Sequence, residues 1–195
     1  MSWLRRLLRP FTKHKGTEVH HRFRPRLQFA PDAMIGSSTV SKGVKANLRR
    51  NIELLGGLEK GQVQKIYEAA LRSVALGRDL SMLHVELMEV AGMNAGRAAE
   101  VALTLNARAT AQINREHQAS LGIVHAKWIH ANAPCMRDSI FPTAEDLKQD
   151  SAHRSASGKR YAVSKGLFVD GKWTWPGVEE GCKCTSRSIL PWLRE

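Results

Sequence analysis

Between residues 40 and 121 the apolar positions recur every three or four residues. Val40, Val44, Leu48, Ile52 and Leu55 form one stripe, stopped by Gly56-Gly57. Val63, Ile66, Tyr67, Ala70, Leu71 and Val74 form a second, closed by Gly77. A third, made of Leu80, Leu83, Leu87 and Val90, begins beside Asp79 or Ser81, either of which suits an N-cap, and ends at Gly92. From about Asn94 to Leu121, Ala98, Val101, Ala102, Leu105, Ala109 and Ile113 keep the period long enough to predict one extended, alanine-rich helix. Short connections make such helices packing neighbours, so the pattern predicts a bundle of about four helices over 36–121.

Beyond residue 122 the signals are shorter. Val124 to Ile129 reads as a strand that carries Trp128. The stretch "ANAPCMRDSIFPTAEDLKQDSAHRSASGKRYAV" is polar and loop-like, apart from one short helix capped by Thr143 with Glu145 and Asp146 in its first turn. "GLFVDGKWTWP" predicts a hairpin. Asp170-Gly171 supply the positive φ angles of a type I′ turn between arms Leu167–Val169 and Lys172–Trp175, and Trp173, Trp175 and Pro176 join them as structural residues. The expected fold class is α+β: an extended basic arm over 1–35, the helical bundle over 36–121, and a small α+β module with a β-hairpin over 122–195. A module with so few long apolar elements calls for a staple.

Charge adds a partner to this picture. The chain carries a net +12, and residues 1–30 hold Arg5, Arg6, Arg9, Lys13, Lys15, Arg22, Arg24 and Arg26 against the single acid Glu18. With Pro10, Pro25 and Pro31 interrupting it, this stretch reads as a flexible arm suited to lying along phosphates. Nucleic acid is the first partner such a balance implies and an anionic membrane the second; a solvated tail with no partner is the plain alternative. The opening "MSWLRRLLRPF" breaks the apolar core that a signal peptide needs, and no stretch approaches the ~20 apolar residues of a membrane span. A cytoplasmic origin without a membrane span is expected, with interfacial binding by Trp3, Leu4, Leu7, Leu8 and Phe11 as a lesser alternative. "EVAGMNAGRAAEVA", 89–102, reads first as an ordinary turn between helices. Its second reading is a helix-hairpin-helix contact to DNA, in which Asn94 stands where that motif has its second glycine.

The chain has three cysteines, too few for a disulfide framework. Cys135, His153, Cys182 and Cys184 supply the thiolates and imidazole that zinc prefers, and three separate loops could bring them into a closed Cys3His site. Spacing weighs against this, because knuckle cysteines stand roughly two to four residues apart and "CKC" leaves little room for both sulfurs on one ion. Buried cysteines packed as small hydrophobes are the first reading, structural zinc the second, and a reversible disulfide from Cys135 to Cys182 or Cys184 the third. A catalytic thiol comes last, since only His130 or His153 offers a base. His125 and His130 fall on opposite faces of a strand and do not readily share a metal. No Walker loop, dinucleotide fingerprint or HExxH is present, so no small-molecule substrate is expected.

Four segments occur in order: "LNARATAQINREHQASLGIVHAKWIHANAPCMRDS", "HRSASGKRYAV", "DGKWTWPGVEEGCKC" and "SILP". In this order the chain resembles the phage head-morphogenesis or minor head proteins, the family of the phage Mu F protein. There a long helix with an Asn- or Arg-rich stretch leads into a strand ending in Trp. A Cys-containing or polar loop follows, then a His…Gly-Lys segment that opens a small β element, and a closing Pro…Cys-Arg-Cys with a β-rich tail. The matching positions here are Asn106, Arg108, Asn114, Arg115, Trp128, Cys135, His153, Gly158, Lys159, Pro176, Cys182 and Cys184, and the likeness is best over 98–192. Asp138 stands where many members have a second cysteine. The resemblance implies a non-catalytic component of the virion interior, made in the host cytoplasm, that associates with the portal protein and other head components. It also implies sequence-independent contact with DNA during assembly, packaging or ejection. The alternative is an enzyme, a nuclease or nucleic-acid-modifying toxin, using His130, Cys135, Asp138 and His153 as base, nucleophile and metal-binding carboxylate.

Overall fold

A computed structural model describes residues 40–137 and 140–190. The eight cations expected to grip nucleic acid, and Asp138, lie outside the described residues. Within them the protein is a mixed α+β fold of five helices and two small antiparallel sheets. No described helix is long and apolar enough to cross a membrane.

The four predicted amphipathic stripes become α1 (Lys42–Glu53), α2 (Lys60–Ala75), α3 (Leu80–Ala91) and α4 (Ala95–Ser120). Their ends are fixed locally. Ser41 accepts the Val44 N–H, Asp79 accepts that of Ser81, and Gly92 closes α3 with φ 65°. Asn94 does the same work for α4, its side chain accepting the Arg97 N–H at 2.9 Å. Residues 89–102 are thus an ordinary capped turn, with the asparagine in the cap position. Leu48, Ile52, Ile66, Leu83, Leu87, Val101 and Leu105 meet in the bundle core. A buried polar pair sits among them: the fully buried Asn106 amide donates to Ser73 Oγ at 3.1 Å and to the Ala102 carbonyl at 3.2 Å.

α4 is long enough to leave the bundle and support the rest of the chain. Its Gln118 donates to Ser186 and Ser188, and its Arg108 reaches the Val178 carbonyl (2.8 Å) while holding Asn51 of α1. After it come β1 (His125–Ile129), α5 (Ala144–Ala156), β2 (Arg160–Ala162), β3 (Leu167–Val169), β4 (Lys172–Thr174) and β5 (Thr185–Ser188). β1 lies between β2 and β5, and β3 pairs with β4 as the predicted hairpin. At its tip Asp170 and Gly171 both take positive φ, 46° and 79°. The helix after Thr143 is longer than the loop-like sequence implied. Thr143 and Asp146 cap each other reciprocally, and the helix runs 13 residues, far enough to carry His153. A second core forms between this helix and the sheet around Trp128, Tyr161, Val163 and Val169.

Candidate metal centre

Three elements converge under β1. The chain leaving β1 is pinned to α5 at Cys135, whose N–H donates to Asp150 at 2.7 Å and whose carbonyl accepts from Gln149 at 3.0 Å. His153 follows Asp150 by three residues on the same helix, so the groups that fix the loop and the imidazole that faces its sulfur share one helical surface. The third element is the turn after β4. There Gly181 has φ 70°, and a Cβ on it would collide with the Met136 backbone, so only glycine lets this turn close against the Cys135 loop.

These elements place the sulfurs of Cys135, Cys182 and Cys184 and a ring nitrogen of His153 within 4.8 Å of one another, all four residues buried. Cys135 Sγ stands 3.4 Å from Cys184 Sγ, which in turn stands 3.9 Å from His153 Nδ1. A tetrahedral ion with metal–sulfur bonds near 2.3 Å spaces its sulfurs by about 3.8 Å, so the donor atoms lie at a separation zinc can span. The objection from the "CKC" spacing fails for a physical reason. Just ahead of β5 the burial alternates, Cys182 and Cys184 inward and Lys183 outward, as residues two apart do in extended chain. Both thiols therefore point the same way. All three cysteines are free, and the 3.4 Å separation is not a disulfide bond. His153 comes from α5, not from a loop as its sequence context implied.

The surroundings suit thiolates. Gly177 N–H donates to Cys182 Sγ and Lys183 N–H to Cys135 Sγ, each at 3.4 Å. The Trp128 ring meets the His153 ring edge to face at 5.2 Å. Its indole N–H is buried without a hydrogen-bond acceptor, and the neighbouring Cys184 sulfur, if charged, would accept it. Hydrogen bonds from the Cys182 and Cys184 thiols hold Cys135 far below the ordinary thiol range, and the same contacts with Cys135 push Cys182 and Cys184 up. A divalent metal would displace the protons that these thiols carry.

A second group, His130, Cys135 and Asp150, also lies within 4.8 Å. Its carboxylate is already engaged, receiving the Cys135 N–H, Arg154 Nε at 2.7 Å and His130 Nε2 at 3.2 Å. This group supports the first site from outside. The remaining structural residues divide by exposure. Trp175 Nε1 donates to the Val163 carbonyl and its ring lies under the Arg115 guanidinium at 4.2 Å, with Pro176 buried beside it. Trp173 is half exposed, meeting Phe168 edge to face and covered by Lys165. Sequence reasoning missed Gln149, Asp150 and Gly181. The Asp-x-x-His spacing on a capped helix was the one signal that pointed to Asp150. Among known proteins, no family model, no curated protein and no solved structure matches this chain.

Proposed function

We propose that this chain is a minor head, or head-morphogenesis, protein of a phage or prophage. In this reading it is a non-catalytic virion component that associates with the portal and meets DNA without sequence preference, and a zinc ion clasps its C-terminal module. The convergence of Cys135, His153, Cys182 and Cys184 supports it most directly. Residues spread over fifty positions, picked out by their order in the resemblance, gather into one buried cluster. Four protein ligands fill a tetrahedral ion and leave no position for water or substrate, the arrangement of a structural site. Other positions of the resemblance fit the same role, since Arg108 ties the bundle to the turn that carries the cysteines.

The enzyme alternative gains less support. Cys135 is fully buried with its sulfur among the other two, and His130 is committed to Asp150. Native mass spectrometry with elemental analysis of the purified chain is expected to give one zinc per chain, lost in the Cys184→Ser variant. Mass spectrometry of purified heads is expected to find the chain with the portal protein at low copy. A metal-free protein would remove the clasp, and a chain absent from heads but active on plasmid or transfer RNA would replace the head reading with the enzymatic one.

A further inference from the structure

The outer face of the three-stranded sheet has no part in the metal centre. Antiparallel register sets Lys127 of β1 directly opposite Arg160 of β2 on one side and Arg187 of β5 on the other. Opposed residues in a sheet share a face, so the three form one row, with the arginines roughly 10 Å apart across two strand spacings. The inner face is accounted for by Ala126, Trp128 and Tyr161, which are buried, and by Ser186 and Ser188, which Gln118 holds. Arg160 and Arg187 are exposed, and no strand of this sheet carries an acidic residue.

Lys127, in the middle of the row, has a partner of its own, so the groups this face offers a ligand are the two exposed guanidinium groups of Arg160 and Arg187. Among the described residues neither arginine has a carboxylate partner. Arg160 donates instead to His125 Nδ1 at 2.9 Å, on the same face. Arginine can only donate, so that nitrogen is the acceptor and the imidazole keeps its proton on Nε2 as a further donor.

We propose that this face binds the phosphate backbone of nucleic acid, a site separate from the basic arm. It stands on the sheet alone, whether or not the chain belongs to a virion. A lipid surface is the poorer match, since interfacial binding needs large apolar side chains to insert, and the large apolar residues on this face, Ile129 and, just past β5, Ile189, are both partly buried. Two fixed guanidinium groups held roughly 10 Å apart on a flat sheet suit a repeating anion better than one carboxylate.

The test measures affinity of the full chain for a short DNA duplex of mixed sequence across a range of salt. Each phosphate contact removed is expected to lower the slope of log K against log salt by about one. Arg160→Gln/Arg187→Gln should therefore lose about two, and Arg160→Lys/Arg187→Lys should keep most of the slope. Lys65→Gln/Arg72→Gln, which removes the same charge from exposed positions of α2, should change it little. Near-UV circular dichroism of each variant checks that the sheet survives. Equal slopes for the two glutamine variants would overturn the site. So would competition by polyglutamate as strong as that by DNA, or arginine-dependent binding to anionic vesicles without binding to DNA.

Discussion

At Trp128 two functions meet in one side chain. Its ring fills the module core and its indole N–H is the buried donor left over beside Cys184. The two can be separated. Trp128→Ala should cost about 3–5 kcal/mol through the cavity it leaves, read as a lowered urea midpoint. Trp128→Phe keeps most of the bulk and loses the donor, so it should fold yet bind zinc about 10–100-fold more weakly in competition with a chromophoric chelator. A Phe variant with unchanged affinity would mean that the indole only packs. Asn106 makes the corresponding case in the bundle. Asn106→Ala removes one buried partner of Ser73, which still donates to the Asp79 carbonyl, and should cost about 0.5–1.5 kcal/mol for the lost bond, with the zinc content unchanged because the residue lies in the bundle, between α4 and α2.

Among the elements, α5 carries the most consequence because it fixes both the Cys135 loop and His153. Its cap depends on Asp146. Burial pushes this carboxyl up, but hydrogen bonds from Thr143 and Arg137 outweigh burial and hold it well below the usual carboxylate range. A group whose folded-state value is depressed stabilises the fold above its unfolded value, and that stabilisation is lost as pH falls toward the folded one. Wild type should therefore melt above Asp146→Asn at neutral pH, with the two curves converging on acidification; a constant gap would remove Asp146 as the source. The turn before β5 is the second sensitive element. Gly181→Ala forces a side chain into the Met136 backbone at positive φ, and should reduce zinc content while α1–α4 keep their far-ultraviolet helical signal.

How much of each element was legible follows from where its stabilising contacts lie. α1 to α4 carry period and caps in their own residues, so their bounds could be read almost directly, and Asp170-Gly171 fixed the hairpin register. β2 and β5 escaped. "RYA" and "TSRS" are too short and too polar to announce strands, and they are strands because β1 offers each of them an edge. The ligand residues were nameable for their chemistry, yet the spacing rule argued against them. It treated "CKC" as a knuckle turn, whereas extended backbone points alternate side chains one way.

Taken whole, α4 bridges the bundle core and the smaller module core of the described residues, the first closed by aliphatic packing and the second, in the proposed reading, by a zinc clasp. Chelation of the metal should act on the second alone. Near-ultraviolet circular dichroism from Trp128 and Trp175 should fall while most helical signal remains, and a second, higher transition should then melt the bundle. One cooperative loss of both signals would mean that the clasp holds the entire fold. The sequence by itself determined the α+β class, the bundle, its caps, the hairpin and the residue types able to bind a metal. These follow from local periodicity and from chemistry carried by each side chain. Only the tertiary structure decided that Cys135, His153, Cys182 and Cys184, spread over fifty positions, share one buried point, and that Lys127, Arg160 and Arg187 stand in a row. Both depend on which strands pair and which helix lies beneath them, and those choices belong to contacts between segments that no single segment contains.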